Sequence, residues 1–466
     1  MDTDRMHLPA LVTCRRPFLQ MLLCVCVTLL ATTLRADPPK LLESTNILQQ
    51  IEDARTIFGF RPKLEDKGVT VFAQLVNDML WNTTGGISPG GADDGLLQFG
   101  TQIDTEKAVA LPGGTFKNTW YWLYGRSPSG FVGDVNAVSG ITGNPAFRCY
   151  ELWYEQNLSI SGVDDAVSLR GGLLGLDAEF CISDPALLFL NGTFGLPALQ
   201  SQNLVNSGPQ YPMATPGVRL ALHPLPWLRL RGAITQANPF SQSENLHNFN
   251  WNFGPSGGLL SMNEAEVTWG EGKTARVLPG KAKAGFWIQN GPAATLPYEW
   301  SFGPPSSVAY CSGFYGVWDQ MLYRADEKEQ ATGGKKAVVP EGKEADEAPE
   351  RGLKSFLRVG FSPQSASPLS FYTDGGLVYT GLMASRPEDK LGLAFCYGSV
   401  SPSYRTLGNE QGVPGASFES VAELTYSIRV APSIALQPDV QYVIHPGGTQ
   451  QYGNALVVGF RAIVDF

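Results

Sequence analysis

Between Ser420 and Phe466 the chain alternates apolar and polar residues over three successive runs, and few folds accept that pattern. Ala422, Leu424, Tyr426, Ile428 and Val430 alternate with Val421, Glu423, Thr425, Ser427 and Arg429. After Ala431-Pro432-Ser433, Ile434, Leu436, Val440, Tyr442 and Ile444 alternate with Gln437, Asp439, Gln441, Val443 and His445. The third run sets Leu456, Val458, Phe460, Ala462, Val464 and Phe466 against Val457, Gly459, Arg461, Ile463 and Asp465. Successive side chains of a strand point to opposite faces, so each run has one apolar face and one that carries charge. A dry interior is excluded for the charged face, because each unpaired buried charge costs several kcal/mol. Two environments remain: a soluble sandwich with its charged face in water, or a membrane barrel with its charged face on a wet lumen. Run length favours the barrel, since a tilted membrane strand needs about 9–11 residues and globular strands average about 5–6.

The rest of the 466-residue chain fits the barrel. Charged residues make up 17%, the net charge is −9, and glycine is abundant at 52. An acidic balance excludes nucleic-acid binding by charge. Beyond the N-terminus there is no apolar run of about 18 residues, the length at which a membrane helix is expected. Residues 1–36 read as an export signal: Arg15-Arg16, an apolar run from Phe18 to Ala31, then small residues to Ala36. The Arg pair resembles a twin-arginine signal, but that route carries folded cargo, so ordinary secretion is favoured. Cys149, Cys181, Cys311 and Cys396 follow the signal; four cysteines allow three pairings, and their scatter has no metal-site spacing.

Residues 37–67 are expected to form an N-terminal periplasmic segment, with a short amphipathic helix over 46–58 (Ile47, Leu48, Ile51, Ala54). From residue 68 to 466 strand-like runs recur near 69–80, 96–110, 114–125, 149–161, 166–176, 214–223, 227–237, 258–270, 277–289, 313–323, 353–362, 371–383 and 391–400, followed by the three above. The fold class is all-β: a transmembrane antiparallel β-barrel of about 16 strands, an even number as bacterial barrels require. Short turns such as Leu111-Pro112-Gly113-Gly114 and His223-Pro224-Leu225-Pro226 interleave with long loops 126–148, 177–213, 238–257, 290–312 and 401–419. Outer-membrane barrels show this asymmetry, with short periplasmic turns and long extracellular loops. The Lys- and Glu-rich stretch 324–352 counts onto the periplasmic side and reads as a disordered insertion.

Several blocks carry a family resemblance. Pro387-Glu388-Asp389-Lys390-Leu391-Gly392-Leu393-Ala394-Phe395, Asp374-Gly375-Gly376-Leu377-Val378-Tyr379, Asp319-Gln320-Met321-Leu322-Tyr323-Arg324 and Gln437-Pro438-Asp439-Val440-Gln441-Tyr442 lie in the C-terminal half. Glu151-Leu152-Trp153-Tyr154-Glu155-Gln156 and Asp177-Ala178-Glu179-Phe180 lie nearer the middle. Together they resemble the carbohydrate-selective, OprB-like porins from about Arg61 to Phe466. The resemblance implies a sixteen-stranded barrel that admits glucose and related sugars across a bacterial outer membrane, with no cofactor and no enzymatic step. The insertion at 324–352 departs from the short connection expected in that family.

Catalytic motifs are weak. Gly254-Pro255-Ser256-Gly257-Gly258 matches a hydrolase elbow in letters but sits where a loop enters a strand, not in the strand-to-helix turn the motif needs. Gly272-Lys273-Thr274 lacks the first glycine of a phosphate loop, and His223, His247 and His445 are far apart. Lumen chemistry remains. Sugars are neutral and dense in hydroxyls, so a selective channel wants Arg and carboxylate hydrogen-bonders with aromatic faces for ring C–H groups. Alternation puts Glu151 and Glu155 on the face opposite Tyr150, Leu152 and Tyr154; Arg170, Arg219, Arg229 and Arg231 likewise lie opposite apolar neighbours. With Asp177 and Glu179 these eight are the candidate sugar-contacting residues. The loop 177–213, with Phe180, Phe189 and Phe194, folds either into the lumen as a constriction or outward against other loops. Expected partners are a carbohydrate, outer-membrane lipid and, through Phe466, the barrel-assembly machinery; monomer and trimer both stay open. A general porin, a plugged structural barrel and a membrane-embedded enzyme are the alternative readings.

Overall fold

A computed structural model describes residues 60–466 apart from 161–162, 255–256, 271–276, 291–309, 326–349, 365–366 and 411. The helix expected over 46–58 and most of the insertion therefore lie outside the described residues. Sixteen antiparallel strands close into a barrel in which each strand pairs with its neighbours in sequence and β16 returns to β1. The first eight are β1 (Val69–Gly86), β2 (Gly90–Asp104), β3 (Gly114–Gly125), β4 (Ala146–Ile160), β5 (Val163–Leu174), β6 (Thr215–Leu225), β7 (Leu228–Gln236) and β8 (Leu259–Trp269). The others are β9 (Gly280–Asn290), β10 (Tyr310–Arg324), β11 (Gly352–Phe361), β12 (Leu369–Thr380), β13 (Lys390–Val400), β14 (Phe418–Ala431), β15 (Ile434–Ile444) and β16 (Gly453–Asp465).

All sixteen expected runs are strands, and the differences have local causes. β1 and β2 extend well beyond 80 and before 96, pairing as far as Asn82 with Gly90, so their connection is short although it lies at the long-loop end. A helix α1 (Phe60–Glu65) precedes β1, and Arg61 Nη1 donates to the carbonyl of Phe466 at 2.9 Å. The run expected to reach residue 110 stops at Asp104, which caps a helix α2 (Thr105–Val109) by accepting the Glu106 and Lys107 amides at 2.9 and 3.3 Å. An Asp at that position satisfies donors that a helix start leaves free, and so the strand ends there.

The barrel is inside-out relative to a soluble domain. Leu357, Leu393, Leu424 and Trp318 are about half exposed on the outer wall, whereas Arg358, Glu419, Glu423 and Asp439 are buried on the inner one. Closure is locked in register: Asp78 of β1 lies directly opposite Arg461 of β16, and the guanidinium grips both carboxylate oxygens at 2.6 and 2.7 Å. A one-residue slip would turn each of these charges to the other face. One local exception corrects the sequence reading. Register shifts between Thr119 paired with Glu151 and Trp120 paired with Cys149, leaving Tyr150 in a bulge. Such an extra residue breaks the alternation, so Tyr150 is buried beside Glu151 and does not face outward.

Connections alternate between the two ends. The turns at 226–227 and 432–433 share one end with Ala325 and Arg351, whose backbones bond at 3.1 Å across the base of the insertion. Loops 126–145, 175–214, 237–258 and 401–417 emerge at the other.

Candidate functional site

The long loop 175–214 folds into the lumen, and loop 126–145 joins it there. Their apolar side chains explain the first half of that outcome. Phe180, Leu190, Phe194 and Leu199 are fully buried, with Phe194 edge-on to Phe356 of β11 at 6.2 Å between ring centroids. Burial of a large apolar side chain is worth about 1.5–3 kcal/mol. Inward charges of the wall explain the second half, because they capture the loop backbone. Glu264 accepts the Cys181 amide at 2.8 Å, and Asp319 accepts the Ser183 hydroxyl at 2.5 Å and the Asp184 amide at 3.2 Å. Glu423 takes the amides of Leu190 and Asn191 at 2.6 and 3.0 Å. Arg358, paired with Asp374 at 2.6 Å, donates to the carbonyls of Cys181, Thr193, Phe194 and Gly195 at 2.9–3.3 Å.

Loop 126–145 is held in the same manner. Glu419 accepts the Val135 amide at 2.8 Å and the Asn136 amide at 2.7 Å, and Asp78 accepts the Ser139 hydroxyl at 2.7 Å. The two loops also bond to one another, Gly140 N to Leu190 O and Gly192 N to Ala137 O, each at 2.7 Å. A Cβ on Gly140 would stand 3.2 Å from the Gly192 Cα and from the Leu190 carbonyl oxygen, so a side chain there would press the two loops apart by a few tenths of an ångström.

A second set of charges on β4 to β9 borders open space instead. Glu155 of β4, Arg170 of β5, Arg219 of β6 and Glu179 of the loop form a closed ring of alternating sign. Arg170 Nε donates to Glu155 at 2.7 Å and its Nη1 pairs with Glu179. Arg219 reaches Glu155 at 3.1 Å and Glu179 at 2.8 Å, and Ser168 donates to Glu155 as well. The Arg170 guanidinium lies 3.9 Å over the Trp153 ring, a cation–π contact that holds its plane. Next to the ring, Arg231 binds Glu264 at 2.8 Å and Glu266 at 3.4 Å, and Lys283 meets Glu266 at 3.3 Å. Arg229, with 44% of its side chain exposed, reaches Glu266 at 3.4 Å and donates to His223 at 2.5 Å.

Two cavities flank the loop. One of about 530 Å³ lies toward the short-turn end and is lined by Glu155, Glu179, Arg219, Arg229, Arg231 and Glu266, among others. A second, of about 440 Å³, lies between the two inward loops and is bordered by Asn136, Asp177, Gln210, Tyr211 and Arg461.

Of the eight candidates, five line the first cavity: Glu155, Glu179, Arg219, Arg229 and Arg231. Arg170 completes their ring through Glu155 and Glu179 but is on the lining of neither cavity. Asp177 borders the second cavity, where it accepts the Tyr150 hydroxyl and the Tyr211 amide. Glu151 borders neither; it is 4% exposed beneath Lys117 and Thr119. The sequence reading passed over Glu266, Lys281 and Lys283, which also line the first cavity. They alternate with Ala265, Val267 and Ala282 along β8 and β9, so the pattern that found Arg229 and Arg231 was present there too.

Residues 88–466 match the model of the carbohydrate-selective porin, OprB family. The chain belongs to this family. It is 24% identical over 438 residues to Porin B of Pseudomonas aeruginosa, a match covering 86% of this chain and 88% of that one. Its fold is similar to the high-pH structure of Pseudomonas putida OprB, with a TM-score of 0.72 and 20% identity over 88% of this chain and 97% of the other. The low-pH structure of Pseudomonas putida OprB is also similar, with a TM-score of 0.51 and 17% identity over the same shares of the two chains. The porin is thus an outer-membrane carbohydrate channel, a passive pore and not an enzyme. Barrels of this kind generally carry their long loops on the extracellular side and their short turns on the periplasmic side.

Proposed function

We propose that glucose-type monosaccharides diffuse to the periplasm through the two cavities, past the β4–β9 wall. Glu155, Arg170, Glu179, Arg219, Arg229 and Arg231 make the hydroxyl contacts. The observation that carries this reading is charge compensation at the first cavity. Its carboxylates are Glu155, Asp165, Glu179, Asp184 and Glu266; its cations are Arg219, Arg229, Arg231, Lys281 and Lys283. All but Asp165 form ion pairs within this set, so a passing ion meets little net field, while lone pairs and N–H groups at the edges of each pair stay open to hydroxyls. A bidentate Arg–carboxylate pair also fixes the direction of its remaining donors. Wet surroundings keep each contact weak, which transport requires, since a solute held tightly does not leave. Residues 1–36 serve as the export signal in this reading, on the strength of Arg15-Arg16 and the apolar run.

Single-channel recording with added glucose tests it. Glucose should block the ion current in a concentration-dependent way, and the Arg170→Ala and Arg219→Ala variants should need several-fold more glucose for the same block. Wild-type block in both variants would remove the wall from the sugar path.

A further inference from the structure

Leu187 stands out among these charges. It sits in a helical turn, Pro185–Leu188, whose Pro185 and Ala186 are buried, yet Leu187 itself is 57% exposed. A single exposed leucine on an outer surface needs no explanation. This one is inside the barrel, and it is the residue that the linings of both cavities share. Its place is fixed from both sides: Gln437 Nε2 donates to the Leu188 carbonyl at 2.7 Å, and Asp319 holds Ser183 and Asp184.

We infer that Leu187 is an apolar lip between the two cavities that selects uncharged sugar rings over sugar acids and sugar phosphates. The inference rests on the cavities being the sugar route. A hydrated ion or an anionic sugar must shed water to pass an isobutyl group that offers nothing in exchange, and an unreplaced polar contact is costly. A neutral pyranose loses far less, because its C–H face packs on the lip while its edge hydroxyls reach the paired charges beyond. Hydrophobic constrictions gate channels by the same exclusion of water. Paired charges alone cannot do this, since a ring of balanced sign treats neutral and weakly charged solutes alike.

Two variants test the lip. Leu187→Ser should raise small-ion conductance by roughly twofold or more and lower the ratio of glucose to gluconate uptake in liposomes. The side chain is exposed, so the change removes little packing. Leu187→Cys, treated with a charged methanethiosulfonate reagent, tests the route itself. The wild-type control has Cys149, Cys181, Cys311 and Cys396 buried, and so should be inert. Labelling that suppresses the current, together with an opened and less selective Leu187→Ser channel, is the expected result. Labelling that lands, by mass, without changing the current would place the route elsewhere and overturn both readings. Labelling that blocks while Leu187→Ser keeps wild-type conductance and selectivity would overturn the lip and leave the route standing.

Discussion

Arg358 is the most demanding test of how the inward loop is held. Its side chain is 1% exposed, its partner Asp374 is fully buried, and it spans from β11 to four carbonyls of loop 175–214. Arg358→Met keeps much of the volume and removes every donor. Asp374 keeps the Tyr372 hydroxyl at 2.6 Å but loses its counter-charge, and breaking a buried pair by deleting one partner costs about 3–5 kcal/mol. At about 1.4 kcal/mol per tenfold, the ratio of docked to released loop falls by about two to three and a half orders of magnitude. The barrel should survive, because Arg358 and Asp374 remain paired through their backbones in the β11–β12 ladder. The expected phenotype is therefore specific: an intact, heat-modifiable barrel on a gel, faster proteolysis within 175–214, and larger, noisier conductance. Arg358→Met combined with Asp374→Asn should recover part of the loop protection, since the uncompensated charge is gone. Wild-type protease resistance and conductance in Arg358→Met would refute the view that this guanidinium anchors the loop.

Three further outcomes follow from the geometry. Arg219→Ala leaves Glu155 and Glu179 with Arg170 alone, so selectivity should shift toward cations, measured as a change in reversal potential across a salt gradient. Burial pushes the Asp177 carboxyl up to about 6 from 3.8; a raised folded value means its stabilising contribution is complete below 3.8 and is lost as pH rises through about 6. Loop proteolysis should accordingly quicken between pH 5 and pH 7.5, and Asp177→Asn should flatten that dependence. An epitope tag near Gly334, between two stubs at the short-turn end, should be hidden from antibody on intact cells and reached after lysis.

Much of this was legible in the sequence because a barrel strand has a period of two and long range adds little to it. Glu423 against Leu424, or Arg229 against Leu230, declares its face from its neighbours alone, and the structure agrees. Tyr150 was misplaced for the same reason. A bulge inserts a residue without a composition signal, and everything N-terminal to it changes face. The fate of loop 177–213 was open because Phe180, Phe189 and Phe194 say that the loop must bury itself but not against what. The answer lies in residues up to two hundred and more positions away, such as Glu423 for Leu190. Asp319 and Asp374 were visible as parts of family-like blocks, but nothing local marks a carboxylate as an anchor for a distant amide.

The inner wall thus divides by what its charges bind. On β10, β11 and β14, Asp319, Arg358, Glu419 and Glu423 find backbone donors and carbonyls of the inward loops, whose peptide groups need partners once they leave water. On β4 to β8, Glu155, Arg170, Arg219, Arg231 and Glu266 find one another beside the open cavity, and Glu264 of β8 does both, pairing with Arg231 while it accepts the Cys181 amide. The same residue types serve both, so alternation alone cannot separate anchors from pore lining. Satisfaction by peptide groups can. A charge whose partners are loop backbone fixes the aperture and should report on gating and proteolysis, whereas one whose partners are side chains at the water's edge should report on selectivity with the aperture unchanged.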